Sequence, residues 1–325
     1  MRPARIANID RASIHILRER RLTKRTDDVI AGVRISNPSR VVYPDLARTK
    51  LDVARYYESV GPWILPHVAG RPLTLLHCPE GMDGSCVFLR HSKLWGPKVI
   101  RRVRIQEKRK VGEYMVADSV EAIVAIAQMS VLEIHTWNST DRDIERPNRI
   151  VMDLDPGEEV SWKRVAAAAR RVRKILAALG LESFVKTTGG RGLHVVAPLI
   201  PKADWSECLA FTKGISEALE IADPDEFTTT FAKSGRDSKI LLDYLRNNRT
   251  NTSIAALSTR ARAGAPVSVP LRWTELKTSL DPRSFTIETV PNRLARLRGD
   301  PWRGYWSSRQ TLTQKMMKAV ERSVP

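Results

Sequence analysis

Residues 149–155 read Arg-Ile-Val-Met-Asp-Leu-Asp, an apolar run that closes on two acids two positions apart. As a strand the segment alternates, so Ile150, Met152 and Leu154 share one face while Val151, Asp153 and Asp155 share the other. Pro156 and Gly157 then end it in a turn. Two carboxylates pointing the same way repel each other, which is unfavourable in an apolar setting unless a cation lies between them. The segment therefore restricts the chain to folds that end an apolar strand at an ionic site, and hard oxygen ligands of this kind suit Mg²⁺ or Mn²⁺. Taken alone, an Asp-x-Asp is more often a solvated strand end. Lys239 to Tyr244 (KILLDY) changes the weighing, because it is a second strand-like run that closes on an acid, Asp243. Three such acids can hold two metals ~3.5–4 Å apart, an arrangement that activates a 3′-hydroxyl and stabilises a leaving pyrophosphate.

Between these acids the pattern is ordered. Ser161 to Leu179 predicts a helix, with Val165, Ala168, Val172, Ile175, Leu176 and Leu179 on one face, Ser161 as N-cap and Gly180 just past the end. Its other face carries Lys163, Arg164, Arg170, Arg171, Arg173 and Lys174, read as a solvated surface ahead of a DNA-facing one. Phe184 to Leu199 predicts strand, Gly-rich turn, strand; the turn Thr187 to Gly192 exposes backbone N–H groups beside Arg191 as a phosphate cradle, and His194 follows on the second strand. A Gly-rich hairpin or a lone histidine is a weak signal. The order of acids, helix, cradle and third acid, followed by Arg246, Arg249, Arg260 and Arg262, is not weak.

Elsewhere, Leu51 to His67 reads as a helix, Pro72 to His77 and Tyr114 to Val116 as strands, and Ser119 to Trp137 as a helix. Lys98 to Lys110 is either a solvated basic edge strand or one facing a phosphate backbone. Residues 1–34 form a basic extension, 35–299 the globular catalytic domain, and 300–325 a tail that is aromatic, then basic, ending in a short helix. With 54 Lys+Arg against 36 Asp+Glu the net charge is +18, which draws the chain toward a polyanion, most commonly nucleic acid. No apolar run approaches the ~20 residues of a membrane span, and no secretory signal is visible, so no membrane partner is expected. Cys78, Cys86 and Cys208 form no CxxC pair, which argues against a disulfide framework or a cysteine zinc site and fits a reducing cytosol.

MDLDPGEEV, FVKTTGGRGLHVV, LLDYLRNNR and STRARAGAPVSVPLRW, in this order, resemble the polymerase domain of bacterial DNA ligase D, of the archaeo-eukaryotic primase superfamily. SNPSRVVYPDLARTK, GRPLTLLHCPEG and LEIHTW resemble its N-terminal half, so the similarity runs from about Ile35 to Leu297. The resemblance implies an α/β (α+β) primase-like catalytic core with a central mixed or antiparallel sheet flanked by helices. It also implies a metal-dependent nucleotidyltransferase that extends primers on a template during non-homologous end joining, often preferring ribonucleotides and Mn²⁺ over Mg²⁺. By motif match Asp153 and Asp155 would bind both metals and Asp243 would complete the catalytic site; Lys186, Thr188, His194 and Arg246 would hold the incoming NTP or dNTP, and Arg260 its triphosphate or a nearby acid. His135 resembles a residue contacting the nucleotide sugar, Phe88 one of two aromatics stacking on the template base, and Arg40 with Lys50 the pair that grips a 5′-phosphate at a gapped or broken DNA end.

The chain departs from the family pattern in places. Val87 stands where one of the two aromatics is usual, Arg40 replaces lysine, Thr250 replaces glycine and Leu257 replaces tyrosine. Arginine suits a bidentate phosphate contact, so the phosphate role survives that change. No KxDG ligase motif is present, so the expectation is a stand-alone cytoplasmic, nucleoid-associated polymerase that works with Ku and a separate DNA ligase. A non-catalytic module binding DNA ends and 5′-phosphate would have no reason to hold the three acids against their own repulsion. A two-metal nuclease would not call for the triphosphate-type set around Thr188, His194 and Arg246.

Overall fold

Alternating and continuous apolar runs give the described residues two six-stranded sheets and two short two-stranded ones, seen in a computed structural model that describes residues 28–91, 96–232 and 234–323. Residues 1–27 of the expected extension lie outside the described residues. The early strands are β1 (Val29–Ile30), β2 (Val33–Arg34), β3 (Val41–Tyr43), β4 (Arg48–Thr49), β5 (Leu73–His77), β6 (Val87–Leu89), β7 (Arg101–Gln106), β8 (Val111–Val116) and β9 (Val131–Thr136). After them come β10 (Arg149–Pro156), β11 (Phe184–Thr187), β12 (Leu193–Pro198), β13 (Phe227–Thr228), β14 (Ile240–Asp243), β15 (Ser253–Ile254) and β16 (Pro270–Leu271). The helices are α1 (Lys50–Val68), α2 (Val120–Gln128), α3 (Trp162–Ala178), α4 (Trp205–Ala222), α5 (Thr289–Arg296) and α6 (Gln314–Glu321).

The first sheet has the order β13-β14-β10-β12-β11-β16 and is antiparallel throughout except for the parallel β13–β14 pair. The second has the order β15-β9-β5-β8-β7, with β6 also paired to β5. The alternation read in β10 holds. Ile150, Met152 and Leu154 join the main core together with Val165, Ala168, Val172 and Leu176 of α3. Val151 faces the other way and is covered, with Phe184 and Val196, by Trp302 and Tyr305. The residues after 299 thus begin by packing against the first sheet, where the Trp302 indole is 1% exposed and donates to the Val185 carbonyl at 2.9 Å.

The arginines on the basic face of α3 make contacts within the fold, while Lys163 and Lys174 are exposed as a solvated face would have them. Arg164 pairs with Glu226 and Arg171 with Asp223, Arg170 donates to the Leu276 carbonyl, and Arg173 stacks over the Trp273 ring. Ser161 occupies the N-cap position of this helix without a side-chain capping bond. In the N-terminal half, α1 opens with the Thr49–Asp52 capping box and packs on α2. Val29 to Arg34 are not loose chain but a small hairpin, β1 with β2, whose Ile30 reaches the core.

Two expectations are corrected. Ser119 to Trp137 is not one helix: α2 ends at Gln128, Ser130 turns the chain with φ 60°, and Val131–Thr136 becomes β9 between β5 and β15. Pairing on both flanks outweighs local helical periodicity here. The cysteine reading also fails, because Cys78 and Cys86 are joined, with Cα atoms 4.3 Å apart. Their eight-residue spacing hides the pairing in sequence, yet the His77–Val87 register of β5 and β6 sets the two neighbouring residues face to face. Cys208 is free and buried. Among the described residues no helix is long and apolar enough to cross a membrane.

Truncating Trp302 opens the face behind Val151. Trp302→Ala is expected to lower unfolding stability by about 3–5 kcal/mol in urea titrations; a loss below about 1 kcal/mol would show that the segment after residue 299 does not cover that face.

Candidate active site

Four polar side chains stand in one row across the first sheet. Lys186 on β11 lies opposite His194 on β12, His194 opposite Asp153 on β10, and Asp153 opposite Asp243 on β14. Residues directly opposite in an antiparallel pair share a face, so ladder register alone assembles the row. Asp155, two residues along β10, shares that face at its open end, where its side chain is exposed.

Arg246 closes the row. It follows Asp243 on a 3-10 turn, Tyr244–Asn247, and places Nε 2.9 Å from Oδ2 of Asp153 and Nη2 2.8 Å from Oδ2 of Asp243. Asn247 fixes this turn to the sheet: its side chain accepts from the Val151 N–H at 2.8 Å and donates to the Val151 carbonyl at 2.7 Å. Burial works against charge on Asp153, but His194 and Arg246 outweigh it and hold that carboxyl well below the usual range. Burial pushes Asp243 up to about 6, with Arg246 opposing and Asp153 adding to the rise. Burial and Asp153 likewise raise Asp155, against the opposing pull of Arg236, whose Nη2 stands 3.4 Å from its carboxylate. His194 is pushed down to about 4 by burial and by Lys186, so it stays neutral near pH 7.

Asp153, Asp155, His194 and Arg246 line a cleft of about 350 Å³ that the Gly-rich turn also lines. Gly189 has φ +69°, and a Cβ there would meet Arg260 Cγ at 2.6 Å, so glycine permits both the turn and the approach of Arg260. Arg260 donates to the Thr188 carbonyl, and Arg260, Arg262, Thr188 and Arg191 all line the cleft. His135, from β9 of the second sheet, forms the opposite wall. The Phe88 ring meets it edge-on at 5.6 Å and is itself 62% exposed.

The structure brings Asp153, Asp155, Thr188, His194, Arg246, Arg260 and His135 together around this cleft, and sets Asp243 beside it, opposite Asp153 and paired with Arg246. Lys186 is not brought into it. It is buried, donates to Ser268 Oγ at 2.6 Å, and lines a small cavity behind His194. Arg40 and Lys50 are brought to each other: the Lys50 N–H donates to the Arg40 carbonyl at 2.8 Å. Lys50 Nζ donates to Ser36 Oγ and the Gln128 carbonyl, which leaves one of its three donors over. Burial, helped by Arg40, lowers Lys50 to about 8.

The sequence marks Arg262 only as one of the arginines after the third acid, and does not mark Glu133 or Asn247 as site residues. Glu133 had a signal, since it lies two residues before His135 and so on the same strand face. Asn247 had none, because its role depends on where the 3-10 turn meets β10. Thr250 and Leu257, the two departures in backbone-sensitive places, hold left-handed conformations with φ 71° and 64°. A non-glycine residue there costs on the order of 1 kcal/mol.

Among the described residues no three His, Cys, Asp or Glu side chains converge as a metal-binding group. Arg246 bridges Asp153 and Asp243 instead. The donor chemistry nonetheless fits hard divalent cations: three carboxylates on adjacent strands, with Asp155 and Asp243 raised by burial and by the charge of Asp153.

Asp243 titrates higher in the fold than in an unfolded chain, so its charge lowers stability as pH rises through about 4 to 6. In metal-free buffer Asp243→Asn is expected to gain about 2 kcal/mol at pH 7.5 and nothing below pH ~4. Thermal melts across that range check this, and a gain independent of pH would contradict it.

Comparison with known proteins places these features in a family. The model of "LigD, primase-polymerase domain" matches residues 49–302. The multifunctional non-homologous end joining protein LigD of Pseudomonas aeruginosa is 36% identical over 295 residues, covering 90% of this chain and 35% of that protein. Its namesake from Mycolicibacterium smegmatis is 34% identical over 266 residues, covering 81% of this chain and 34% of that protein. The chain therefore spans about a third of the length of these curated relatives. The solved polymerase domain from Mycobacterium tuberculosis ligase D in complex with DNA superposes with a TM-score of 0.79 at 32% identity, covering 85% of this chain and 99% of that one. The fold that carries the acid row thus superposes over nearly the whole of that domain, and the chain belongs to the LigD primase-polymerase domain family.

Proposed function

We propose that the chain is a template-directed nucleotidyltransferase that adds nucleotides, with a preference for ribonucleotides, to 3′ ends at gaps and double-strand breaks during non-homologous end joining. The observation that carries this reading is the acid row facing a cationic, glycine-turned wall across one cleft. Phosphoryl transfer needs positioning and charge neutralisation more than covalent participation by the protein. Asp153, Asp155 and Asp243 would hold two Mn²⁺ or Mg²⁺ ions. When bound, such ions supply charge neutralisation at the attacking and leaving oxygens.

The remaining work falls to the chain's own side chains. Arg260 and Arg262, with Thr188 and the backbone of the Gly-rich turn, receive the triphosphate. Arg246, whose guanidinium reaches Asp153 and Asp243, carries the donor fork that suits phosphate oxygens equally well. Neutral His194, whose Nε2 lies 3.3 Å from Oδ1 of Asp153, packs beside that carboxylate on the neighbouring strand. Lys186 supports the row from behind rather than touching the nucleotide. Exposed Phe88 offers a face for a template base, worth ~1–3 kcal/mol of stacking. Arg40 and the remaining donor of Lys50, at the N-terminus of α1, suit a 5′-phosphate on the downstream strand. Such a step also needs ends held together and then sealed, for which Ku and a DNA ligase are the proposed companions, and the cytoplasmic nucleoid the proposed setting.

The test is extension of a labelled primer across a short gap, with Mn²⁺ or Mg²⁺ and with rNTPs or dNTPs. Asp153→Ala should abolish templated addition while leaving DNA binding within about twofold; retained addition would remove the acid row from the chemistry. Arg40→Ala or Lys50→Ala should weaken binding about tenfold only on DNA carrying a downstream 5′-phosphate. Equal losses with and without that phosphate would reduce the pair to a general backbone contact.

A further inference from the structure

One buried carboxylate faces the cleft wall without belonging to the acid row. Glu133 on β9 is 4% exposed and serves three partners on two segments. Its Oε2 lies 2.8 Å from Nε2 of His135, and its Oε1 lies 3.0 Å from Nε of Arg260. The same Oε1 accepts the backbone N–H of Ala261 at 3.0 Å. The Arg260 contact is an ion pair whose Nε–H is not aimed at the oxygen, so the backbone bond and the histidine fix the carboxylate and Coulomb attraction holds the arginine.

This arrangement decides which protons the cleft wall presents. Burial would keep Glu133 protonated, but His135 and Arg260 outweigh it and lower the acid to about 2. Burial lowers His135 despite the carboxylate beside it, so the ring is neutral. A carboxylate only accepts, so the single imidazole proton is assigned to Nε2. Nδ1 is then an acceptor, on a ring that lines the cleft. An acceptor there calls for an O–H donor, and the hydroxyls of a ribose are the O–H donors a nucleotide brings.

We propose that Glu133 is a positioning residue of the nucleotide site: it locks His135 in the Nε2–H tautomer and ties that ring to Arg260, so that the sugar-facing and triphosphate-facing walls are set by one carboxylate. The substrate side of this rests on the polymerase reading above, whereas the tautomer does not. Without Glu133 either ring nitrogen can carry the proton, and discrimination between ribose and deoxyribose at this wall is lost.

The experiment is long-range ¹H–¹⁵N correlation NMR of His135 in the full chain with gapped DNA, its signals assigned by their absence in His135→Gln. Wild type should show the neutral Nε2–H form, and ATP should shift Nδ1 more than dATP does. Glu133→Gln should populate the Nδ1–H form and bring the ATP and dATP affinities about tenfold closer together, the effect of one lost hydrogen bond. Glu133→Asp, which keeps the charge and withdraws it from both partners, should move both readouts the same way if Glu133→Gln does not fold. A wild-type ring protonated on Nδ1 or on both nitrogens would overturn the assignment with no variant needed. An unchanged tautomer in a folded variant would do the same. Absence of primer extension alongside the expected tautomer change would instead count against the polymerase reading alone.

Discussion

The site depends on keeping like charges adjacent in a poorly solvated place. Asp153 and Asp243 are forced together by β10–β14 register, and neither strand can retreat, because β10 is also paired to β12 on its other side. The Arg246 guanidinium between them makes the arrangement tolerable: one planar fork reaches a carboxylate on each strand. It does so incompletely. Asp153 remains firmly ionised while Asp243 is held near 6, so the row keeps unsatisfied demand for positive charge. A fold that needed only stability would place apolar residues here.

The second constraint is the joint between the two sheets. Arg149, at the start of β10, is buried among neutral oxygens: it donates to Asn138 Oδ1 at 3.0 Å, to Thr136 Oγ1 at 2.6 Å and to the Trp137 carbonyl. Those acceptors sit at and just after the end of β9, the strand that carries Glu133 and His135. The strand that bears the acids is thus hydrogen-bonded to the strand that bears the opposite wall. The cleft is a seam between sheets whose spacing is fixed by directional bonds rather than by apolar contact alone.

Much of this was legible in the residues. The alternation of β10, the closing acid of β14, the helix α3 and the Gly-rich hairpin all follow from local pattern, and those elements sit where period and turn chemistry put them. The misreadings share a cause. Local periodicity continues α2 into β9, whose strand character comes from partners distant in sequence. The spacing of Cys78 and Cys86 carries no sign of their meeting, which hairpin register decides. Lys186 carries a phosphate-binder's chemistry, but its position in the row points it at Ser268. Glu133 was passed over because a single acid in an apolar strand shows its value only once Arg260 arrives from 127 positions along the chain.

The row across β11, β12, β10 and β14 also has a bearing on how such strands can change over time. Because side chains alternate faces, sliding any one of these strands by a single residue would turn its polar member into the apolar core and present a core residue in its place. Shortening or lengthening these strands is therefore closed off, whereas residue-for-residue exchange stays open. The ladder works as a ruler with two-residue graduations, and drift in length is confined to the turns between its marks.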